Sequence, residues 1–292
     1  MSIRATSVTG GVRRALGVVA LALLAAPLLW SAGACHKETL IMQSAPMPTS
    51  LMDLPTLMDF IESGSRQWAT LDADCTVRIA SLQIVTSNTP TGMAQVPQQV
   101  AFNRGRLQIE RPGKIRLEAV KGNYRILLVG DGTAYRVDMA AFGDAYQGNY
   151  GDPLPTQPRR ILLMPDDLVM GWDWTNLFVG KAPVLKTAQG GAEIDTLEMV
   201  DGPFPLKAVS SVAFDLRKRE VASMATFDRK GTIRSQIIVR EYSTVENSIK
   251  QPVKVPSSVW LAYPNTLTMI QVDLHNIVLN TKFPDGTFAL KK

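Results

Sequence analysis

The side chains of this chain that could do chemistry are few and scattered. Asp166 and Asp167 stand side by side after Pro165, and Glu193 and Asp195 are two residues apart, which puts both on one face of a strand. Paired carboxylates can divide the work of general acid and general base. At a helix start, though, acids meet capping and dipole preferences, so Asp166 and Asp167 read as solvated carboxylates. His275 falls in a strand pattern with no nucleophile nearby. Ser210 and Ser211 lack a Gly-x-Ser-x-Gly turn, and no glycine-rich phosphate loop precedes a helix. With 2 Cys and 2 His in 292 residues, zinc clusters and a disulfide framework are excluded. The expectation is a protein without catalytic residues, metal or cofactor.

The N-terminus carries a different kind of chemistry. Arg13 and Arg14 precede an apolar run from Ala15 to Leu29, followed by Ser31, Ala32, Gly33, Ala34 and then Cys35. The apolar run is shorter than the roughly 20 residues of a membrane span and suits a cleaved export signal. Leu29 to Cys35 resembles a bacterial lipobox, in which the cysteine thiol receives a diacylglycerol, with Ala32 where Leu is commoner. An ordinary secretory signal followed by a chance cysteine is the other reading. Residues 1–34 are thus expected to be a signal peptide. Residues 35–50, polar and with Pro46 and Pro48, would be a lipidated N-terminus and tether. By resemblance to enterobacterial sorting rules, His36 after the cysteine points to the periplasmic face of the outer membrane.

The formal charge of +5 invites a nucleic-acid partner, but the leader holds Arg4, Arg13 and Arg14 and no acid. Without those three arginines, 28 bases face 26 acids. The tyrosines Tyr124, Tyr135, Tyr146 and Tyr150 are not interleaved with a basic groove, so nucleic acid is not expected. Tyr146 to Pro153 reads as a polar loop at the rim of a sheet.

The elements that must position any site follow from hydrophobic period. Leu54, Leu57, Met58, Ile61 and Trp68 recur at helical spacing with Pro55 in the first turn. Alternation then takes over in Val77 and Ile79, in Leu107 and Ile109, and in Ile115, Leu117 and Ala119. Turn signals are read at Asn103 to Gly105, Arg111 to Gly113, Lys121 to Asn123 and Asp131-Gly132. A helical interruption is predicted from Pro165 to Phe178, with Leu168, Trp172, Leu177 and Phe178 on its apolar face. Strands return at about 193–200, 206–217, 221–228, 232–244, 254–263 and 266–280. With 46% hydrophobic and 20% charged residues the body is globular, and a sheet this large must curl or close. Cys75, unpaired if Cys35 is acylated, is expected to be a small buried strand residue.

The stretch Gly105 to Arg116, with Leu107 and Arg111-Pro112, resembles the G-x-L-x-x-x-R-P-x-x-x-R pattern of the LolA and LolB lipoprotein-localisation superfamily. Leu128 to Tyr135 is similar to that family's next hairpin. Phe227 to Thr232, Pro256 and Val278 through Phe288 follow in the same order. The resemblance covers about 51–290 and departs from the family in its length and in Tyr135-Arg136. It implies an α+β, mainly β fold: a half-open antiparallel β-barrel wrapped over a few lid helices, spanning 51–292. It also implies that Arg111 bonds to lid helices and helps hold a cavity closed, against the alternative of a hairpin arginine paired on the surface. Leu107, Ile109, Ile115, Leu117 and Leu128, joined by Trp172 and Trp174, would face the concavity and bind a ligand.

Two functions are expected from this reading. The first is a lipid-anchored envelope protein that binds or passes on a lipid or lipoprotein acyl chain without covalent chemistry. The second is a structural or sensory envelope lipoprotein whose interior is filled and whose sheet docks a protein partner.

Overall fold

The computed structural model describes residues 53–86, 93–139, 144–152, 162–175, 177–187, 194–202 and 207–290. The leader, Cys35 and the tether lie outside these residues, as do Glu193 and the side chain of Asp195.

Asp53 opens the described body: its Oδ1 accepts from the Thr56 amide at 2.9 Å, capping a helix that carries Pro55 in its first turn. This helix, α1, runs Leu54–Arg66 and buries Leu57 and Ile61 on one face. The strands of the first half are β1 (Thr70–Thr86), β2 (Met93–Glu110), β3 (Lys114–Lys121), β4 (Tyr124–Asp131), β5 (Ala134–Met139) and β6 (Asp144–Asn149). After the short α2 (Pro165–Val169) come β7 (Ala182–Thr187), β8 (Ile194–Asp201), β9 (Lys207–Asp215) and β10 (Glu220–Phe227). The chain closes with β11 (Ile233–Glu246), β12 (Pro252–Tyr263) and β13 (Thr268–Leu279). Among the described residues no helix is long and apolar enough to cross a membrane.

All thirteen strands join one antiparallel sheet in the order β6-β5-β4-β3-β2-β1-β13-β12-β11-β10-β9-β8-β7. The first half therefore meanders outward from β1, and the second half meanders back until β13 lies beside β1. At about 4.8 Å per strand a flat sheet of this size is about 60 Å wide, whereas α1 is only about 20 Å long. Yet inner-face residues from β1 through β13 belong to one core with α1 and the segment 162–178. The sheet meets both conditions by curling around its helices as a half-open barrel. The fold is α+β and mainly β, with little helix.

Alternation sets the two faces. On β3, Ile115, Leu117 and Ala119 are buried, while Arg116 and Glu118 face outward in an ion pair of 3.0 Å. Cys75 is a buried free thiol on β1, and burial pushes it up to about 12.

Three sequence expectations change. Asn103 to Gly105 is not a turn but a register shift inside β2, where Gly105 sits opposite Cys75. A Cβ at position 105 would come within 2.8 Å of the Cys75 sulfur, so the glycine marks a close approach within a strand. The predicted helix from Pro165 to Phe178 stops at Val169. Beyond it, Asp173 Oδ1 accepts from the Thr175 amide at 3.0 Å and the Thr175 hydroxyl at 2.6 Å, replacing a helical bond by a local turn. Tyr146 to Asn149 is not a rim loop but belongs to β6.

Tyr146 is buried and its hydroxyl donates to the Leu163 carbonyl at 2.7 Å, while Tyr150 Oη donates to the Gly113 carbonyl at 2.7 Å. A Cβ on Gly130 would overlap the Tyr150 hydroxyl. Gly130→Ala is accordingly expected to cost about 1–3 kcal/mol in urea unfolding, the range for overpacking, with loss of the Tyr150 bond.

Candidate functional site

Where α1 crosses the ends of β9 to β12 the packing is incomplete, and a cavity of about 190 Å³ opens there. Phe60, Ile61 and Gly64 line it from α1, Trp68 from just beyond the helix, Trp172 and Trp174 from the segment after α2, and Phe214 and Pro256 from the sheet. Phe60 and Phe214 meet edge to face with centroids 5.2 Å apart, joining the helix to β9. The mouth carries Arg219, Glu220, Tyr242 and Lys254. Tyr242 Oη donates to the Val221 carbonyl at 2.8 Å.

Arg111 forms the back of this cavity and bonds in three directions. Its Nη1 donates to the Trp68 carbonyl at 3.2 Å, its Nη2 to the Trp172 carbonyl, and its Nε lies 3.6 Å from Asp173 Oδ1. Its guanidinium carbon sits 3.3 Å from the centroid of the Trp68 ring, a cation–π geometry. Asp173 also accepts from the Gly113 amide at 2.6 Å, tying the hairpin that presents Arg111 to the segment it holds. Both ion-pair side chains are almost wholly buried. Burial pulls Arg111 down to about 10, against the pull of Asp173, and the group stays cationic at neutral pH. The Arg111 side chain lies inside the protein rather than on its surface. One guanidinium joins Trp68, just beyond α1, to the β2–β3 hairpin and the segment after α2.

A second polar cluster anchors α2. Asp166 Oδ2 accepts from Arg234 Nη2 at 3.1 Å and from the Gly151 amide at 3.1 Å. Asp167 Oδ1 accepts from the Ser235 hydroxyl at 2.9 Å, and its Oδ2 is 3.5 Å from Arg234. The reading of these acids as solvated carboxylates is corrected: Asp167 is 2% exposed. Its burial first, and the neighbouring Asp166 second, push it up to about 7, opposed by Arg234 and by hydrogen bonds from Ser235 and Tyr263. The sequence gives no hint of this, because Arg234 is 68 residues from Asp166.

The structure divides the predicted ligand-facing residues. Trp172 and Trp174 line the cavity beside Arg111. Leu107, Ile109, Ile115, Leu117 and Leu128 do face inward, but they are fully buried in the packed core and are not in the lining of this cavity. Alternation told which face of the sheet they occupy, not what covers it. The lining residues that the sequence reading missed, Phe60, Gly64, Phe214 and Tyr242, come from three elements, α1, β9 and β11. Only the helical period of α1 could have pointed to Ile61 and Trp68. Of the other candidates for chemistry, His275 is exposed on β13 and Ser210 is buried in β9.

No protein-family model matches the sequence, and no curated protein does. Among solved structures the chain is similar to a putative outer membrane lipoprotein-sorting protein domain from Vibrio parahaemolyticus. That likeness has 10% identity and a TM-score of 0.48, covering 80% of this chain and 94% of that one. It is also similar to a LolA superfamily protein from Nitrosomonas europaea, at 9% identity and TM-score 0.47, covering 80% and 96%. A DUF1329 family protein from Desulfovibrio piger aligns at 10% identity and TM-score 0.44, again over 80% and 96%.

Proposed function

We propose that this chain is a lipid-anchored protein of the bacterial envelope, held through Cys35 at the periplasmic face of the outer membrane. There it binds or passes on a lipid or lipoprotein acyl chain without covalent chemistry. The observation that carries the reading is the apolar cavity under α1, with Phe60, Ile61, Trp68, Trp172, Trp174 and Phe214 in its walls. Each methylene buried there is worth about 0.8 kcal/mol. At about 190 Å³ the cavity is smaller than the roughly 300–1,000 Å³ of a site for a drug-sized ligand. It therefore takes part of a chain as it stands, and a whole chain once α1 lifts. Arg111, bonded at the end of α1 and after α2, sets the cost of that opening.

Gly64 provides the test. It lines the cavity from inside α1, and a Cβ there meets nothing within 4 Å. Gly64→Phe is expected to fill the cavity and abolish lipid capture. Replacing a helical glycine by phenylalanine gains a few tenths of a kcal/mol, less than alanine would, so the thermal midpoint should hold or rise. The readout is native mass spectrometry with lipid extraction, applied to the full-length chain from cells that make phospholipid. Acyl lipid bound to the wild type and absent from Gly64→Phe supports the reading.

A clean apo mass that also refuses added lipid would favour the second reading, a structural or sensory lipoprotein that docks a protein partner through the same sheet. The filled packing around Leu107, Ile109, Ile115, Leu117 and Leu128 is what speaks for it.

A further inference from the structure

The mouth of the cavity is charged where its floor is apolar, and its charges are not equivalent. Lys254 Nζ is 2.7 Å from Glu220 Oε1 and donates to the Lys218 carbonyl at 3.2 Å, so it is engaged within the protein. Arg111, at the back, is engaged with Asp173 and two carbonyls. Arg219 is exposed, and no ion pair involves it among the described residues. It closes the turn 216–219 between β9 and β10 with a φ of 55°, a left-handed position that glycine fills without cost and a long side chain rarely takes. An arginine held there at the rim of an apolar cavity presents five donors in a planar fork, the geometry that matches carboxylate and phosphate.

We infer that Arg219 selects the ligand of this cavity by its headgroup: a single-chain amphiphile ending in a carboxylate or phosphate, tail under α1 and anion on Arg219. The inference rests on the cavity binding an apolar chain and adds which amphiphiles it takes. An ion pair at an exposed rim has modest strength, so an anionic headgroup should bind about fivefold tighter than a neutral one of equal chain length. The preference should shrink as salt rises.

The test titrates the full-length chain, held in phosphatidylcholine nanodiscs, with decanoate, decyl phosphate, 1-decanol and inorganic phosphate, using calorimetry with empty nanodiscs as the blank. The expected result is decanoate and decyl phosphate ahead of 1-decanol in the wild type, with inorganic phosphate alone not binding. Arg219→Gln should bring the anionic ligands down to the affinity of 1-decanol and leave 1-decanol unchanged, while Arg219→Glu should invert the order. Decanoate ahead of decyl phosphate, or the reverse, tells which anion the fork fits. Equal binding of all three amphiphiles by the wild type overturns the inference but leaves the cavity reading intact. So does a preference that survives in Arg219→Gln, or inorganic phosphate binding as tightly as decyl phosphate. If no amphiphile binds, 1-decanol included, the cavity reading fails and this inference with it.

Discussion

Arg111→Ala is expected to lower the stability of the folded body by about 3 kcal/mol, near the lower end of the range for breaking a buried ion pair from one side. The loss has three parts. Asp173 remains buried without its cation, the Trp68 and Trp172 carbonyls lose their donor, and the Trp68 ring loses the guanidinium stacked on it. The cost stays at the low end because Asp173 keeps the Gly113 amide and both Thr175 donors. Arg111→Lys restores a charge but cannot reach two carbonyls and a carboxylate from one nitrogen, so it should recover only part of the loss. Arg111→Met combined with Asp173→Asn removes both charges and should be more stable than Arg111→Ala, a coupling that a double-mutant cycle in urea reads directly. The same substitution should loosen the end of α1, so lipid is captured and released faster. If Arg111→Ala leaves both stability and lipid exchange unchanged, Arg111 is not the clasp of this cavity.

How far these contacts were legible in the sequence depends on their range along the chain. The hairpin turns at Arg111 to Gly113, Lys121 to Asn123 and Asp131-Gly132 are local signals, and the structure turns at each of them. At Asp131 the cause is visible: its Oδ1 accepts from the amides of Thr133 and Ala134 at 2.8 Å. Alternation likewise placed Ile115, Leu117 and Leu128 on the inner face. The site is built from non-local contacts. Arg111 meets Trp172 across 61 residues, and the Trp172 indole donates to the Pro256 carbonyl across 84. No periodicity of the individual segments encodes which of them share a cavity. For this reason the predicted ligand face fell on β2 to β4, where the core is filled, while the opening lies between α1 and β9 to β12. Arg111 could be singled out only because its motif resembles one in a known superfamily. The burial of Asp167 had no comparable signal, since a Pro-Asp-Asp helix start is usually wet.

That buried acid leads to the second large effect, a stability that falls as pH rises from about 4 to about 7. Asp166 and Asp167 share one guanidinium, Arg234, in a region where Asp167 is almost wholly enclosed, so two negative charges would face a single positive one. Burial and the neighbouring Asp166 push the Asp167 carboxyl up to about 7, so the folded protein is expected to keep a proton there where the unfolded chain ionises near its ordinary 3.8. A raised carboxyl pKa means that the folded state binds more protons than the unfolded one between those two values. The contribution is therefore fully present below about pH 4 and lost as pH passes through about 7. At 1.36 kcal/mol per unit the change is at most about 4 kcal/mol, lessened by whatever rearrangement lets water reach the pair. Asp167→Asn keeps an acceptor for the Ser235 hydroxyl and leaves Arg234 balanced by Asp166 alone. It should match the wild type near pH 4, exceed it by about 2 kcal/mol or more at pH 8, and show a flatter urea midpoint between. Because α2 is the element these groups anchor, the pH at which the wild type weakens is also the pH at which hydrogen exchange at Leu168 and Val169 should quicken. Parallel midpoint curves for the two proteins would mean that Asp167 is ionised in the fold, and that Arg234 with the Ser235 and Tyr263 hydroxyls compensates the enclosure of this pair.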